Sequence, residues 1–386
     1  MSMDPSRRTL LKRTSAVFGA RIVASHIADS SPVPMHAESS SPQLVRLSLN
    51  ENPYGPSPGV TDAIQREFNR LNRYADSQTA LHLTEQIATY EHVPVEQVIL
   101  GEILGFLGVY LGSKGGPGGE FIYSTPGYLA LIDAAARVGG VGVPVPLNAQ
   151  YQNDLPALSA KVNQRTRAIY LVNPHNPTGT VNDGEGFKRF LRNISQNTVT
   201  IVDEAYLEYT ADFSSRSAVS LVRDGASVMV FRTFDKIHAL AGLPIGYVLA
   251  PRALADALRK QGAGDAESLG RLNIVAASAA LRDTAQVERT QKAVAHERRI
   301  WLPILHDLNL RHAEPNANFV FFNAGMPQPK LAAAMLSQGI DIGRAHPPYA
   351  NWARITIGLP EENHRAQAAL RHALEGPVAN NTGATE

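Results

Sequence analysis

Three charged side chains lie in segments of the sequence that are otherwise typical of a protein interior. Lys236 follows an apolar run and precedes a stretch rich in Ala, Leu and Gly, and a lysine amine can form a Schiff base with a carbonyl compound. Asp203 ends a second apolar run. Arg354 lies inside a third, and its planar guanidinium can bind a carboxylate through two parallel hydrogen bonds. Simpler interpretations remain open: a surface charge for Lys236, a helix N-cap for Asp203 and a solvated strand-end charge for Arg354.

The elements that must position these residues alternate between strands and helices. Strands are predicted at Gln97–Leu100, Glu120–Ser124, Ala168–Val172, Thr198–Val202, Val228–Phe231 and Tyr247–Ala250, with helical spacing at Leu129–Val138 and Phe187–Ile194. Most of the strands are continuous apolar runs, as expected for a largely parallel sheet that is buried on both faces. The alternation predicts an α/β sheet with helices on both sides, and Asp203 would then lie at a carboxyl strand end, where such sheets form their sites.

The pattern changes after Pro251. One long helix is predicted from about Ile274 to Leu308, followed by a strand at Phe319–Asn323, a helix near Lys330–Ser337, a strand at Ala353–Ile357 and a final helix from Glu361. This order indicates a second, smaller α+β domain. The predicted organisation is a leader over 1–37, an N-terminal arm over 38–60, a large domain over 61–262, a small domain over 263–375 and a disordered tail over 376–386.

Six short motifs occur in order along the chain. They are Leu49–Pro58 (LNENPYGPSP), Pro126–Tyr128 (PGY), Asn173–Gly179 (NPHNPTG), Asp203–Tyr206 (DEAY), the run Thr233–Tyr247 around Lys236, and Trp352–Gly358 (WARITIG). Singly, most of them are ordinary turn or strand sequences. Together they resemble the pyridoxal-phosphate (PLP) dependent aminotransferases of fold type I, class I/II, and in particular the histidinol-phosphate aminotransferases. The resemblance covers about residues 47 to 374.

The resemblance implies a role for five residues around the cofactor ring. Lys236 would form an aldimine with PLP and carry a proton between the substrate's Cα and C4′ of the cofactor. Asp203 would keep the pyridine nitrogen protonated, which makes the ring an electron acceptor. Asn176 and Tyr206 would hydrogen-bond the phenolic oxygen. Tyr128 would stack on the ring, although a tyrosine there is also typical of a core.

Three more residues are assigned to the phosphate and the substrate by the same resemblance. Thr233 and Tyr54 would contact the cofactor phosphate, with Tyr54 supplied by the neighbouring subunit, which implies a homodimer. Arg354 would bind the α-carboxylate of the substrate. Read without the resemblance, the segment around Tyr54 is also typical of a Pro-rich linker.

The residues expected near the phosphate depart from the family pattern. Pro244 stands eight positions after the lysine, where the family usually has an arginine that pairs with the phosphate. Asp235 replaces a serine, and Gly101–Phe106 replaces a Gly-Asn-Gly-Ser turn that cradles the phosphate. A hydrogen bond to a charged group is worth roughly 1.5–3 kcal/mol, so these changes predict weaker PLP binding. Glu102 and Asp235 could instead face solvent or pair with Arg232.

Composition excludes several classes of protein and site. The chain has 44% hydrophobic and 18% charged residues, which is ordinary for a soluble globular protein. Its formal net charge of +1 predicts neither a nucleic-acid partner nor an anionic membrane. With 0 cysteines it has no disulfides or thiolate ligands, and no His/Asp/Glu spacing indicates a metal site. No apolar run approaches the roughly 18–20 residues that a membrane-spanning helix needs.

The first 37 residues are typical of an export signal. Arg7 and Arg8, followed by Thr9-Leu10-Leu11-Lys12, resemble a twin-arginine (Tat) signal, and the weakly apolar stretch Ala16–Ala28 comes next. A polar segment that ends at Ala37 follows. This layout predicts a periplasmic protein that is exported folded; a disordered basic leader on a cytoplasmic protein is the alternative.

We therefore expect a homodimeric PLP-dependent transaminase that moves an amino group between an amino acid and a 2-oxo acid. The same residues could serve a racemase, a decarboxylase or an oxidase, because these PLP reactions share their early steps. A non-catalytic ligand-binding protein with the same fold is a second alternative, which the altered phosphate site permits.

Overall fold

The computed structural model describes residues 44–375 of the 386-residue chain. The predicted leader and tail lie outside these residues. The strands are β1 Val45–Leu47, β2 Val98–Leu100, β3 Glu120–Thr125, β4 Val141–Pro146, β5 Thr166–Val172, β6 Val199–Asp203, β7 Val228–Thr233, β8 Gly246–Leu249, β9 Phe319–Asn323, β10 Ile340–Ile342 and β11 Trp352–Thr356. The helices are α1 Pro58–Arg66, α2 Ser77–Glu91, α3 Ile103–Ser113, α4 Ala130–Ala136, α5 Leu155–Ala160, α6 Gly184–Ile194, α7 Phe213–Arg216, α8 Val219–Arg223, α9 Arg252–Arg259, α10 Arg271–Arg282, α11 Thr284–Asp307, α12 Gln328–Leu336 and α13 Pro360–Glu375.

A seven-stranded sheet forms the larger part of the fold, in the order β2-β8-β7-β6-β5-β3-β4. The neighbours from β7 through to β4 pair in parallel, and β8 pairs antiparallel with both β7 and β2. The predicted mostly parallel α/β sheet is therefore confirmed. Because β4, β3, β5, β6 and β7 run in one direction, their carboxyl ends meet at one edge.

Helices cover both faces of this sheet because successive strand residues point to opposite sides. In β5, Ile169 and Leu171 pack into a cluster with α2, α6, α8 and α10, whereas Ala168 and Tyr170 pack into a second cluster with α3, α4 and α9. All four side chains are buried, so the apolar run of β5 is explained by burial on both faces.

A second group of elements packs around its own apolar cluster. In it β9 pairs antiparallel with β11 and β1 pairs parallel with β10. Trp301 and Leu305 of α11, Leu331 of α12 and Leu370 of α13 cover these strands. None of the helices within residues 44–375 combines the length and apolarity needed to cross a bilayer. The predicted boundary between the two domains at residue 263 remains a prediction.

The long helix predicted from Ile274 to Leu308 is wrong in one respect, because Asp283 divides it into α10 and α11. Asp283 has φ −94° and ψ 67°, outside the helical region, and its side chain accepts the amide of Gln286 to cap α11. Strands β1, β4 and β10 were not predicted. Strand β4 lies at the edge of the sheet, so most of its side chains are exposed and it can contain Pro144 and Pro146. Its sequence therefore lacks the apolar run that marks a buried strand.

Candidate active site

A cavity of about 420 Å³ opens at the carboxyl ends of β5, β6 and β7. The last residues of these strands, Val172, Asp203 and Thr233, all line it. Seven of the predicted site residues border this one cavity: Lys236, Asp203, Tyr206, Asn176, Tyr128, Thr233 and Arg354. The fold therefore brings together residues that are separated by more than two hundred positions in the sequence.

Lys236 lies in the loop after β7, and its backbone is firmly held. The neighbouring side chains of Phe234 and Ile237 are buried. Asn52 of the N-terminal arm donates a hydrogen bond to the carbonyl of Ile237 at 2.8 Å. Within the described chain the amine of Lys236 has no hydrogen bond and no ion pair, although it lines the cavity. An amine placed in this way is available to react with a bound carbonyl compound.

Asp203 is a buried carboxylate at the floor of the cavity. Tyr170 donates its hydroxyl to Oδ2 at 2.7 Å, and the amide of Ala205 donates to Oδ1 at 3.0 Å. Burial raises the pKa of Asp203 to about 6, against the opposing effect of these two hydrogen bonds. A buried anion of this kind favours a cationic partner, such as a protonated ring nitrogen.

Tyr206 and Asn176 belong to a hydrogen-bonded chain on one side of the cavity. The hydroxyl oxygen of Tyr206 accepts from Nδ2 of Asn50 at 3.1 Å and from Nδ2 of Asn176 at 3.3 Å. Because this oxygen already accepts two hydrogen bonds, its own proton is free to be donated into the cavity. Asn50 also hydrogen-bonds Thr356 through its backbone amide at 3.0 Å, which anchors the N-terminal arm here.

Arg354 is buried, with 8% of its surface exposed, yet it forms no ion pair with any residue in 44–375. Nη1 donates to Oδ1 of Asn176 at 2.6 Å and Nη2 donates to the carbonyl of Ser48 at 2.9 Å. Its Nε is buried without a hydrogen-bond partner, and burial lowers the pKa of the guanidinium. A buried cation without a counter-ion is costly, so this position is suited to an anionic ligand.

Tyr128 lies in the turn after β3 and forms part of the cavity wall. Its ring is 46% exposed, and partial burial, with the negative charges of Asp203 and Glu102, raises its pKa to about 12. The preceding Gly127 is required by close packing, because a Cβ there would lie 2.4 Å from the carbonyl oxygen of Ser124. The glycine therefore permits the tight turn that directs Tyr128 to the cavity.

The region expected to hold a phosphate is acidic. Glu102 and Asp235 both line the cavity beside Thr233, whose hydroxyl lies 3.4 Å from Oε1 of Glu102 and accepts the amide of Asp235 at 3.1 Å. Pairing with Arg232, one of the sequence alternatives, is wrong. Arg232 is buried elsewhere, between Glu204 at 2.9 Å and Glu91 at 3.3 Å.

Tyr54 and Pro244 do not border the cavity of the single chain. Tyr54 is partly buried against the apolar cluster around β9 and β11, and burial raises its pKa, with smaller contributions from Glu297 and Glu362. Pro244 is exposed, and its carbonyl accepts a hydrogen bond from Asn273 at 2.8 Å. The expected contact of Tyr54 with a phosphate in the neighbouring subunit therefore stays a prediction.

Three polar residues of the cavity wall were not singled out from the sequence: Asn50, Arg344 and His346. Asn50 lies inside the motif around Tyr54, so that motif was the available signal. Arg344 and His346 follow β10, whose central Asp341 leaves no apolar run to mark the strand. Burial, with the charges of Arg354 and Arg344, lowers the pKa of His346 to about 3, so this imidazole is neutral.

The residues around the cavity fit the ring of PLP. A free amine at Lys236, a buried carboxylate at Asp203 and an available hydroxyl proton at Tyr206 match the aldehyde, the ring nitrogen and the phenolic oxygen of the cofactor. The phosphate end fits less well, because Glu102 and Asp235 place negative charge beside Thr233. PLP can therefore be held at its ring, whereas its phosphate meets an unusual environment.

Comparisons with known proteins agree with this site. Residues 42–370 match the family model described as aminotransferase class I and II. The histidinol-phosphate aminotransferase of Symbiobacterium thermophilum is 34% identical over 342 residues, which cover 86% of this chain and 91% of the relative. The aromatic amino acid aminotransferase of Thermobifida fusca is 35% identical over 320 residues, 82% of this chain and 87% of the relative.

A solved structure extends the likeness to three dimensions. The histidinol-phosphate aminotransferase of Sinorhizobium meliloti, in complex with pyridoxal-5′-phosphate, matches with a TM-score of 0.77 and 27% identity, over 86% of this chain and 91% of that chain. Fold, cavity residues and relatives thus agree. The chain belongs to the class I and II aminotransferases and is a PLP-dependent transaminase of fold type I.

Proposed function

We propose that the cavity binds an amino acid between Lys236 and Arg354, and that these two residues, with Asp203 and Tyr206, carry out transamination with a 2-oxo acid. The observation that carries this proposal is the buried guanidinium of Arg354, which lacks a carboxylate partner within residues 44–375 and borders the same cavity as the free amine of Lys236. The α-carboxylate of an amino acid supplies the missing anion. Its α-amino group then lies towards Lys236.

Each side chain has a defined task in this proposal. Bound PLP supplies an electron-accepting ring. Lys236 Nζ would hold the cofactor and would carry the proton from the substrate's Cα to C4′ of the cofactor. Asp203 keeps the ring nitrogen protonated from its buried position, and Tyr206 donates its free hydroxyl proton to the phenolic oxygen, supported by Asn176. Tyr128 covers a face of the ring.

The test separates substrate recognition from chemistry. Arg354→Gln is expected to raise KM for amino acids about ten- to hundredfold, because one charge-assisted hydrogen-bond pair is lost. The corresponding amines, which lack the α-carboxylate, should react equally with wild type and variant. Lys236→Ala should lose both the visible absorbance band of the PLP-loaded protein and all turnover.

Product analysis distinguishes transamination from the other PLP reactions. Transamination requires one 2-oxo acid formed for each amino group transferred, whereas a racemase, a decarboxylase or an oxidase would form an enantiomer, carbon dioxide or ammonia. Turnover that persists in Lys236→Ala would refute the assignment of the lysine. Equal KM values for wild type and Arg354→Gln would refute the assignment of the arginine.

We also propose that the chain forms a homodimer. Several large apolar side chains near its N-terminus are exposed in the single chain: Leu44, Leu49, Phe68, Leu71 and Tyr74. Tyr54 lies in the same part of the chain and outside the cavity of its own subunit. A second copy that covers these side chains would remove them from solvent and bring Tyr54 towards the partner's cofactor.

Export through the twin-arginine route is a further proposal. It is supported only by the pattern around Arg7 and Arg8, which lies outside the described residues. Replacing both arginines with lysines should leave full-length protein in the cytoplasm. Wild-type protein that fractionates with cytoplasmic markers at full length would contradict the proposal.

A further inference from the structure

The position of the cofactor phosphate follows from the order of groups around the PLP ring, and this inference rests on the proposed function. On the PLP ring, the carbon that bears the aldehyde lies between the carbon that bears the phenolic oxygen and the carbon that bears the phosphate arm. Asn176 and Tyr206 mark the phenolic side and Lys236 marks the aldehyde. The phosphate must therefore lie on the other side of Lys236, where Glu102 and Thr233 line the cavity.

This end of the cavity offers hydrogen-bond donors. Leu104 and Gly105, in the first turn of the 11-residue helix α3, border it. Glu102 occupies the N-cap position of α3 but accepts no hydrogen bond from the amides of that turn. These amides and the hydroxyl of Thr233 can therefore bind an anion, which the dipole of the helix also favours.

Two carboxylates oppose that anion. Asp235 Oδ1 is buried without a hydrogen-bond partner among the described residues, and Glu102 stands across Thr233 from it. The other titratable or charged groups that face this cavity from the surrounding elements are Asp203, Tyr128, Tyr206, Lys236, Arg344, His346 and Arg354. Arg344 lies in the segment after β10 and Arg354 lies in β11, on the side of the cavity assigned to the substrate. A phosphate dianion would thus meet both carboxylates at close range.

We propose that Glu102 binds the cofactor phosphate as a protonated carboxyl group, so that at alkaline pH, where the free residue is ionised, PLP binding takes up one proton there. Protonation removes one of the two negative charges and turns a repelling oxygen into an O–H donor for a phosphate oxygen. The surroundings shift Glu102 towards the protonated form before any phosphate is bound. Glu102 is an exposed residue whose side chain borders the open cavity, but partial desolvation by the surrounding protein, with the negative charges of Asp235 and Asp203, raises its pKa to about 7.

The direction of the effect follows from linkage. At a pH below the pKa of Glu102 the carboxyl is already protonated, so its protonation does not weaken PLP binding. Above it, binding requires a proton from solution, so the dissociation constant for PLP rises about tenfold per pH unit. Pyridoxal, which has no phosphate, should not show this additional dependence. Glu102→Gln should not show it either, because a neutral amide keeps a donor without titrating.

The experiment titrates PLP into cofactor-free protein from about pH 6 to about pH 9, followed by the visible absorbance band. The readout is the ratio of dissociation constants, wild type over Glu102→Gln, which cancels the titration of Lys236 and of the phosphate itself. This ratio should be flat below about pH 6.5 and rise about tenfold per unit above about pH 7.5. Asp235→Ser is the matched control. The rise of the dissociation constant with pH should persist in this variant and begin at a lower pH, because loss of the neighbouring negative charge lowers the pKa of Glu102.

The same inference can be tested without a variant. Calorimetry of wild-type protein at about pH 8 in two buffers of different ionisation enthalpy should show about one more proton taken up with PLP than with pyridoxal. A flat ratio for PLP, an equal rise with pyridoxal, or equal proton uptake for both ligands would overturn the role of Glu102 while leaving the transaminase intact. Failure to bind PLP at every pH would overturn the proposed function itself.

Discussion

Arg232 and Arg354 are both buried arginines, and their surroundings give them opposite roles. Arg232 lies between the carboxylates of Glu91 and Glu204, and these two charges raise its pKa against the effect of burial. The hydrogen bonds of Arg354 within residues 44–375 go to an amide oxygen and a carbonyl oxygen rather than to a carboxylate, and burial lowers its pKa. A cation paired with two carboxylates stabilises the fold, whereas a cation without a counter-ion is available to a ligand.

Replacing Arg232 should therefore destabilise the protein. Arg232→Met leaves Glu91 and Glu204 buried and uncompensated, and it should lower the free energy of unfolding by about 3–5 kcal/mol. Arg354→Met removes a cation that has no counter-ion and should lower it much less. Urea unfolding of both variants measures the difference. Equal losses would show that Arg354 has the same structural role as Arg232.

His175 should make stability depend on pH. Burial lowers its pKa from 6.5 to about 3 and its Nε2 has no hydrogen-bond partner, so the folded chain holds it neutral. The unfolded chain takes up a proton near pH 6.5, so this contribution is complete above that pH. It is lost as pH falls towards 3, at about 1.4 kcal/mol per unit.

The variant His175→Gln isolates this contribution. The free energy of unfolding of wild type should fall between about pH 6.5 and about pH 5.5 by about 1 kcal/mol more than that of the variant. Urea unfolding at the two pH values gives the comparison, and it cancels the titration of every other group. His82 is exposed, so His82→Gln is the control and should behave as wild type. A parallel pH dependence in His175→Gln would mean that His175 is protonated in the fold.

At the scale of elements, strands that form apolar runs were predictable, and strands with charged or exposed positions were not. The continuous apolar runs of β5, β6 and β7 predicted these strands to within two residues at either end, because burial on both faces makes most positions apolar. Strands β1 and β10 have Arg46 and Asp341 at their centres, so no apolar run marked them, whereas the equally short β2 is wholly apolar and was predicted. The pairing of β1 with β10, which brings the following Arg344 and His346 to the cavity, depends on contacts between distant parts of the chain.

The break between α10 and α11 had a local signal that periodicity obscured. Asp283-Thr284 is a typical N-cap sequence, but the helical pattern continues on both sides of it. The break lets α10 pack against α1 and α2 beside the large sheet while α11 packs against β9 and α13. Asp283 thus lies at the junction between a helix that packs beside the large sheet and a helix that packs beside β9.

Asp283→Ala should cost about 1 kcal/mol of stability, because the amide of Gln286 loses its acceptor. Asp283→Asn, which keeps a capping oxygen, should recover most of that loss. Thermal or urea unfolding measures both variants, and PLP binding should be unchanged in each, since Asp283 lies outside the cavity. A stability equal to wild type in Asp283→Ala would mean that the cap contributes nothing to α11.

At the scale of the whole molecule, the proposed dimer predicts where association can be broken. Leu71 and Tyr74 are 60% and 80% exposed in the single chain, so Leu71→Asp with Tyr74→Asp should yield monomers. Leu336→Asp, at another exposed leucine on α12, is the control and should leave the dimer intact. Sedimentation velocity gives the masses. A monomeric wild type would contradict the proposal.

The site could be predicted residue by residue but not as an assembly. The resemblance pointed to Asn176 and Arg354 separately, whereas the 2.6 Å hydrogen bond between them joins residues 178 positions apart. Glu102 shows the same limit. The sequence showed that Glu102 lies in Gly101–Phe106, the segment that departs from the family pattern. Only the fold shows that it lines the cavity next to Thr233.

The pairing of β1 with β10 also sets when the site can form during translation. Val45 pairs with Ile340, and Asn50 hydrogen-bonds Thr356. The N-terminal arm can therefore make these contacts only after roughly 300 further residues have been synthesised. At about 5–20 residues per second, the ribosome needs roughly 15–60 s to make them. In the last part of that interval, after residue 236 and before residue 354, a nascent chain carries Lys236 and Asp203 without Arg354. If Arg354 binds the substrate as proposed, substrate capture begins only when synthesis is nearly finished, and a truncated chain has the amine without the arginine that would hold an amino acid beside it.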